Sequence, residues 1–110
     1  MNMADEPKPK YEMHELMILK VVNDYGSAAV TPSTVAATLM TSGSRTPFSE
    51  DCCRVLLRRI ESKGGVKAQG DDAYKITPEG TTDLGPVLNR SISDWETFDE
   101  DVVLRTAEGI

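Results

Sequence analysis

The residues of this chain most suited to chemistry are two cysteines and a single histidine. Cys52 and Cys53 are adjacent, and neighbouring Cα atoms lie about 3.8 Å apart, which is too close for an ordinary intrachain disulfide. His14 is far from both in sequence and has no recognised zinc-binding spacing with them. We therefore expect no metal site and no cofactor.

Catalytic groupings are missing elsewhere in the sequence as well. No nucleophile is paired with a base, no carboxylates on a rigid element form an acid–base pair, and no glycine-rich loop is built to cradle phosphate. We expect that the protein is not an enzyme.

The cysteine pair leaves two interpretations open. A helix N-terminus and nearby arginines would lower the pKa of a thiol, which would suit an oxidant sensor. Alternatively, Cys53 lies on the core face of its predicted helix and packs as a small hydrophobic residue.

Basic residues between positions 45 and 75 offer a different chemistry, the neutralisation of phosphate groups. The whole chain has a net charge of −6, but residues 91–110 hold six acidic side chains and one arginine, a net −5. Residues 45–75 hold seven bases and five acids, a net +2. Because the acidic excess lies near the C-terminus, the middle of the chain is able to approach a nucleic acid backbone.

Two helices and a loop are predicted ahead of these basic residues. The first helix spans 12–25, and its apolar residues cover more than one stripe, so we expect burial on two sides, as in a dimer. Thr31 and Pro32 are typical of a helix start and predict a second helix to about Met40. A loop follows over 41–47, where hydroxyls, glycine and proline favour non-helical backbone.

The third helix is predicted from a cap at Ser49 to about Lys63, just before two glycines. Helical spacing divides it into two faces. The core face holds Cys53, Leu56, Leu57 and Ile60. The outer face holds Asp51, Val55, Arg58 and Ser62, flanked by Arg54 and Arg59.

A hairpin is predicted next, with strands at 66–69 and 73–76 around turn residues 70–72. Thr77 and Pro78 open another helix, whose apolar seam continues past a break at Gly85 and Pro86. The seam consists of Leu84, Val87, Leu88, Ile92 and Trp95. Residues 101–108 are expected to add a short helical turn.

Three helices, a hairpin and a further helix follow the order of a winged helix-turn-helix domain. Residues 57–66, Leu-Arg-Arg-Ile-Glu-Ser-Lys-Gly-Gly-Val, resemble the end of the recognition helix in MarR-, PadR- and HxlR-type regulators. Residues 74–80, Tyr-Lys-Ile-Thr-Pro-Glu-Gly, are similar to the junction between the wing and the next helix in those families. Residues 84–88, together with Trp95, most resemble the HxlR version of that helix.

The resemblance implies a mainly helical fold with a β-hairpin wing. The winged helix-turn-helix domain would span 12–97, between a flexible tail of residues 1–11 and an acidic tail of residues 98–110. It also implies a homodimeric transcriptional repressor that binds double-stranded DNA. The helix 49–63 would enter the major groove, and the hairpin 66–76 would contact the backbone.

Candidate contacts follow from this arrangement. Arg54 or Arg58 would make a bidentate contact to guanine, and the other bases would neutralise phosphates. The candidate DNA-binding residues are Arg45, Thr46, Ser49, Arg54, Val55, Arg58, Arg59, Lys63, Lys67, Gln69 and Lys75. The candidate dimer contacts are Met13, Leu16, Met17, Leu88, Ile92 and Trp95.

The N-terminus has no apolar signal-like region, and no apolar run approaches the length of a membrane span, so we expect a cytoplasmic protein without membrane association. A second function remains open, a winged-helix module that binds protein through the acidic tail or the first helix. Glu50 and Asp51, in the first turn of the third helix, favour this alternative because carboxylates repel phosphate. A small-molecule effector also remains open.

Overall fold

The computed structural model describes residues 9–107, and within them the chain is mainly helical with one small antiparallel hairpin. This confirms the mainly helical fold with a β-hairpin. The expectation for residues 1–8 and 108–110 lies outside the described residues. The elements are α1 (Met13–Asp24), α2 (Pro32–Thr41), α3 (Glu50–Ser62), β1 (Val66–Ala68), β2 (Tyr74–Ile76), α4 (Pro78–Leu84) and α5 (Glu100–Ala107).

Polar side chains begin the helices where the sequence predicts them. The hydroxyl of Thr31 accepts from Thr34 N at 3.2 Å, and that of Ser49 accepts from Cys52 N at 3.2 Å. Thr77 accepts in the same way from Gly80 N at 2.9 Å. These bonds satisfy backbone donors that have no partner inside the helix, so α2, α3 and α4 start at fixed residues.

The core forms where α1 is surrounded by α2, α3, α4 and β2. Burial of α1 on two sides is therefore confirmed, but neighbouring elements of the same chain provide it. The indole of Trp95 is fully buried, and its Nε1 donates to Met13 O at 3.1 Å. The apolar side chains of α1 and α3 with no solvent exposure are Met17, Ile18, Leu19, Val22, Cys52, Cys53, Leu56, Leu57 and Ile60.

The hairpin is one residue shorter per strand than predicted. Val66 pairs with Ile76, Lys67 with Lys75 and Ala68 with Tyr74. At its tip, residues 69–73, Gln69 N donates to Ala73 O at 2.8 Å, and Asp72 adopts a left-handed φ of 55°. An isolated bridge joins Val30 to Tyr74 and fixes the free edge of β2 to the segment before α2.

The predicted helix around the apolar seam ends earlier than expected. After Leu84 the backbone turns at Gly85, with a φ of 45°, and continues as two 3₁₀ turns at Gly85–Val87 and Ile92–Asp94. Pro86 cannot donate a helical hydrogen bond, which explains why α4 does not extend through the seam.

The predicted acidic tail contains a helix packed along α3. Val103 of α5 is buried, and Glu100 Oε1 accepts from Ser49 N at 2.7 Å. At the other end, Arg59 Nη1 donates to Ala107 O at 3.2 Å. At the N-terminal end, Tyr11 is also buried, so packed structure begins inside the predicted flexible tail and extends beyond residue 97.

Glu15 is a fully buried carboxylate that joins α1 to the C-terminal end of α3. Its Oε1 accepts from Lys63 Nζ at 2.6 Å and from Glu12 N at 2.7 Å. Its Oε2 lies 3.2 Å from Arg59 Nε, an ionic contact without hydrogen-bond alignment. Two cations therefore compensate one buried charge, as a carboxylate in the interior requires.

We predict that Glu15→Gln lowers the free energy of unfolding by at most about 3 kcal/mol. Glutamine keeps an acceptor for Glu12 N but leaves Lys63 and Arg59 without their shared carboxylate. The loss lies at the low end for a broken buried pair because both cations retain contact with solvent. Urea denaturation at neutral pH measures it. The control Glu96→Gln breaks the exposed pair with Arg90 and should cost below about 1 kcal/mol; equal losses in both variants would contradict the role of Glu15.

Candidate nucleic-acid interface

The outward surface of α3 lies between the hairpin and α5. We call its four outward residues, Asp51, Val55, Arg58 and Ser62, the α3 ridge. Arg58, Asp51 and Ser62 are exposed and Val55 is half-buried, as the helical spacing predicts. On one side, Glu61 Oε2 accepts from Ala68 N of β1 at 3.3 Å. On the other side lies α5, so the ridge is open to solvent but flanked on both sides.

Arg54 is held by three carboxylates. Its Nε and Nη2 donate to the carboxylate of Asp72 at 3.1 and 2.9 Å. Its Nη1 donates to Asp51 at 2.8 Å and its Nη2 to Glu50 at 2.9 Å. A hydrogen bond from Arg54 lowers the pKa of Asp72, and hydrogen bonds to Asp72 and Glu50 raise the pKa of Arg54. The predicted contact of Arg54 to guanine therefore competes with partners inside the chain.

Arg59 and Lys63, two further predicted DNA contacts, are both bound to the buried Glu15. Arg59 also donates to the end of α5. Their side chains are 37% and 21% exposed, so both are partly enclosed by the protein as well as paired with Glu15. The structure assigns both residues to the packing of α3 against α1 and α5.

Four predicted basic contacts form no ion pair with another residue in the range 9–107: Arg45, Arg58, Lys67 and Lys75. Arg58 lies on the α3 ridge and is exposed. Lys67 and Lys75 are direct partners across the hairpin, so they share one face of it. Like charges in such a pair repel each other, and an anion bound between them would relieve the repulsion.

The uncharged predicted contacts divide into internal and exposed residues. Thr46 is buried, and its hydroxyl accepts from Phe98 N at 2.8 Å. The hydroxyl of Ser49 caps α3. Val55 remains half-buried on the ridge, and Gln69 is exposed on the hairpin. Thr46 and Ser49 therefore have structural partners, and the prediction of DNA contact is wrong for the buried Thr46.

The six predicted dimer contacts do not form one surface. Met17 and Trp95 have no exposure and Ile92 has 7%, so the core of a single chain encloses all three. The interface prediction is wrong for these residues because their apolar spacing serves packing within the chain. Met13 is 36% exposed, and Leu16 and Leu88 are half-buried against the core.

The N-terminal ends of α3 and α5 lie side by side, which brings carboxylates together. Asp99 Oδ1 accepts from Asp101 N at 3.0 Å and begins α5, while Glu100 contacts Ser49 at the start of α3. The helical turn predicted at 101–108 is confirmed by α5 over its described residues, but it was predicted inside a tail outside the domain. Local signals for this helix are present, because Asp99 is a good cap and Val103 and Ala107 are four residues apart.

Both cysteines are fully buried in α3, and burial raises the pKa of each thiol to about 12. The carboxylate of Glu100 adds to the rise in both cases. The surroundings therefore oppose the thiolate that an oxidant sensor needs, and favour the interpretation as small core residues. His14 is nearly buried against Phe98, with ring centroids 5.7 Å apart, and burial lowers the pKa of its imidazole.

Within the described part of the chain, no three histidine, cysteine or acidic side chains are grouped as metal ligands. None of the helices described is long and apolar enough to cross a membrane. No protein-family model, curated protein or solved structure matches this chain.

We predict that the native protein resists alkylation of Cys52 and Cys53. At pH 8 a thiol with a pKa of about 12 is almost entirely protonated. Iodoacetamide should therefore react at least about a hundredfold more slowly than with the same protein in urea. Mass spectrometry of timed samples measures the rate. Rapid modification of one cysteine in the native protein would instead support an oxidant sensor.

Proposed function

We propose that this chain is a winged helix-turn-helix protein that binds duplex DNA. In this arrangement α2 and α3 form the helix-turn-helix, α3 enters the major groove, and the hairpin is the wing that contacts the adjacent backbone. The close packing of α2 against α3 and the hairpin that follows α3 directly both support the proposal.

The observation that carries the proposal is the set of basic residues without carboxylate partners among residues 9–107. Arg58 is the basic residue of the α3 ridge, and Lys67 faces Lys75 on the hairpin. A phosphate near the two lysines would turn a repulsive pair into two attractive contacts and release counterions from the DNA. Phosphate binding therefore explains why each of the two three-residue strands carries a lysine at the same register of the hairpin.

Arg58 is the better candidate for base recognition than Arg54. Arg54 already donates to three carboxylates, and each would have to be replaced by a DNA acceptor. Arg58 is exposed on the ridge and has its guanidinium donors available for O6 and N7 of guanine. The contact to guanine is therefore proposed for Arg58 alone.

The carboxylates of the first turn of α3 direct where DNA would approach. Glu50, Asp51 and Asp72 share the single positive charge of Arg54, which leaves this end of α3 anionic. Phosphates are therefore expected nearer to Arg58 and the hairpin than to residues 50 and 51. A homodimeric repressor remains part of the proposal, with Met13, Leu16 and Leu88 as the predicted interface residues that keep exposed surface.

A second candidate function is binding of a basic protein surface. The carboxylates at the adjacent N-terminal ends of α3 and α5 favour it, because they present negative charge where a recognition helix usually contacts bases. Co-purification distinguishes the two candidates. One stoichiometric protein partner without enrichment of any DNA fragment would support the second, whereas enrichment of a defined DNA site would reject it.

We predict that Lys67→Ala/Lys75→Ala weakens binding to random duplex DNA and reduces its dependence on salt. Each neutralised phosphate contributes about 0.9 to the slope of log affinity against log salt, so losing the phosphate held between the two lysines should reduce the slope by about 0.9. Fluorescence anisotropy over a salt titration measures both values. Arg58→Ala should additionally reduce the preference for the best site over random DNA by about 1–3 kcal/mol.

The matched control for this titration is Lys10→Ala/Lys20→Ala, which changes the net charge equally. Lys10 pairs with Asp83 and Lys20 with Asp24, away from the α3 ridge. The control should keep the wild-type slope. If both double variants lower the affinity equally, or if neither salt nor any substitution changes it, DNA binding through α3 and the hairpin is wrong.

A further inference from the structure

We propose that Arg54 is a positioning residue that fixes the tip of the hairpin against α3, and that the wing needs this bond to contact DNA. The inference rests on the proposed function and deepens it, since it assigns to Arg54 a role other than contact with DNA. The observation behind it is the two-pronged bond from the guanidinium of Arg54 to the carboxylate of Asp72.

Among the residues that the structure describes, the Arg54–Asp72 bond is the only polar contact that joins the tip to another element. Within residues 9–107, no other hydrogen bond or ion pair joins residues 69–73 to a part of the chain outside the hairpin. The strands are attached separately, because Val30 forms a bridge to Tyr74 and Glu61 accepts from Ala68 N, and Ala68 and Tyr74 are the strand pair next to the tip. The hairpin is therefore held as far as this pair, whereas the position of residues 69–73 beyond it depends on one side-chain pair.

The chemistry of the pair suits positioning. Arginine presents its donors in a rigid planar fork, so two of them on one carboxylate set both a distance and an orientation. Asp72 has a left-handed backbone at φ 55°, which aspartate and asparagine tolerate better than most residues. Since a two-stranded hairpin of this length has little stability of its own, the outer part of the wing needs such a contact to be ordered.

If Arg54 positions the tip, removing the charge of Asp72 should change the affinity for DNA in the direction opposite to that expected from charge repulsion alone. Removing a negative charge from a DNA-binding surface should strengthen binding, because repulsion with phosphate is lost. Asp72→Asn removes such a charge but also weakens the bond that orders the tip. Under the proposal, loss of order outweighs loss of repulsion, and the variant binds more weakly.

Asp71→Asn is the matched control, because Asp71 is the exposed neighbour of Asp72 at the same tip. It forms no ion pair with any other described residue. Affinity for duplex DNA is measured by anisotropy at one fixed salt concentration. Asp71→Asn should raise the affinity, whereas Asp72→Asn should lower it about two- to fivefold, the range of an exposed ion pair. If both variants raise the affinity, Arg54 does not act through Asp72 and the proposal is overturned.

A measurement without DNA tests the positioning step itself. Nuclear magnetic resonance relaxation of the free protein gives the backbone order of residues 70–72, with order parameters near 0.85 for rigid and below about 0.6 for flexible backbone. Asp72→Asn and Arg54→Gln should both move these residues towards the flexible value, Arg54→Lys less so, and Asp71→Asn not at all. Unchanged order in Arg54→Gln would overturn the proposal.

These two experiments separate the inference from the function on which it rests. If the wild-type protein binds no DNA, the proposed function fails, and the relaxation measurement alone decides whether Arg54 orders the tip. If the protein binds DNA but residues 70–72 are equally ordered in all variants, the function stands and the role of Arg54 is wrong.

Discussion

The buried charge of Glu15 is the constraint on which the position of α3 depends. A carboxylate without solvent contact needs compensating cations, and this one takes Arg59 from the C-terminal half of α3 and Lys63 from the position just after α3. Arg59 also reaches the last residue of α5. One interior charge therefore joins the start of α1, the end of α3 and the end of α5. The hairpin begins four residues after α3 ends, so its base is placed by the same interactions.

The same constraint changes which basic residues are available at the surface. A count of basic residues between positions 45 and 75 suggests a broadly cationic interface, but Arg59 and Lys63 neutralise Glu15, and Arg54 neutralises carboxylates of α3 and the hairpin. The basic residues that remain are fewer: Arg45 in the loop before α3, Arg58 on the ridge, and the opposed Lys67 and Lys75. Internal ion pairs, more than net charge, decide where an anion is able to bind.

Much of the fold could be predicted from local signals. Thr31, Ser49 and Thr77 each offer a hydroxyl to a backbone donor three residues later, and this requirement is visible in the sequence itself. The turn of the hairpin is equally local, because residues with access to left-handed backbone are few. The inner face of α3 followed from helical spacing, since Cys53, Leu56, Leu57 and Ile60 are all fully buried.

The predictions that were wrong concern contacts between residues that are distant in sequence. Apolar residues such as Met17 and Trp95 recur at the same sequence spacing whether they pack inside one chain or between two chains. The sequence therefore could not decide between a core and a dimer interface for them. The helical turn after residue 100 was predicted, but its acidic charge suggested a tail outside the domain, whereas Val103 packs α5 against α3. Two partners of Arg54, Glu50 and Asp51, lie within one helical turn of it, but Asp72 lies 18 residues away and meets it only when the hairpin folds back.

The central claim is that α3 and the hairpin form one DNA-binding surface. Amide chemical shifts of the isotopically labelled protein, recorded during addition of a random duplex, test it most directly because they locate the contact residue by residue. The account predicts changes at Arg58, Lys67 and Lys75 that disappear at high salt, with little change in α2 around the exposed Met40. An absence of shifts at low salt, or shifts confined to surfaces away from α3 and the hairpin, would contradict it.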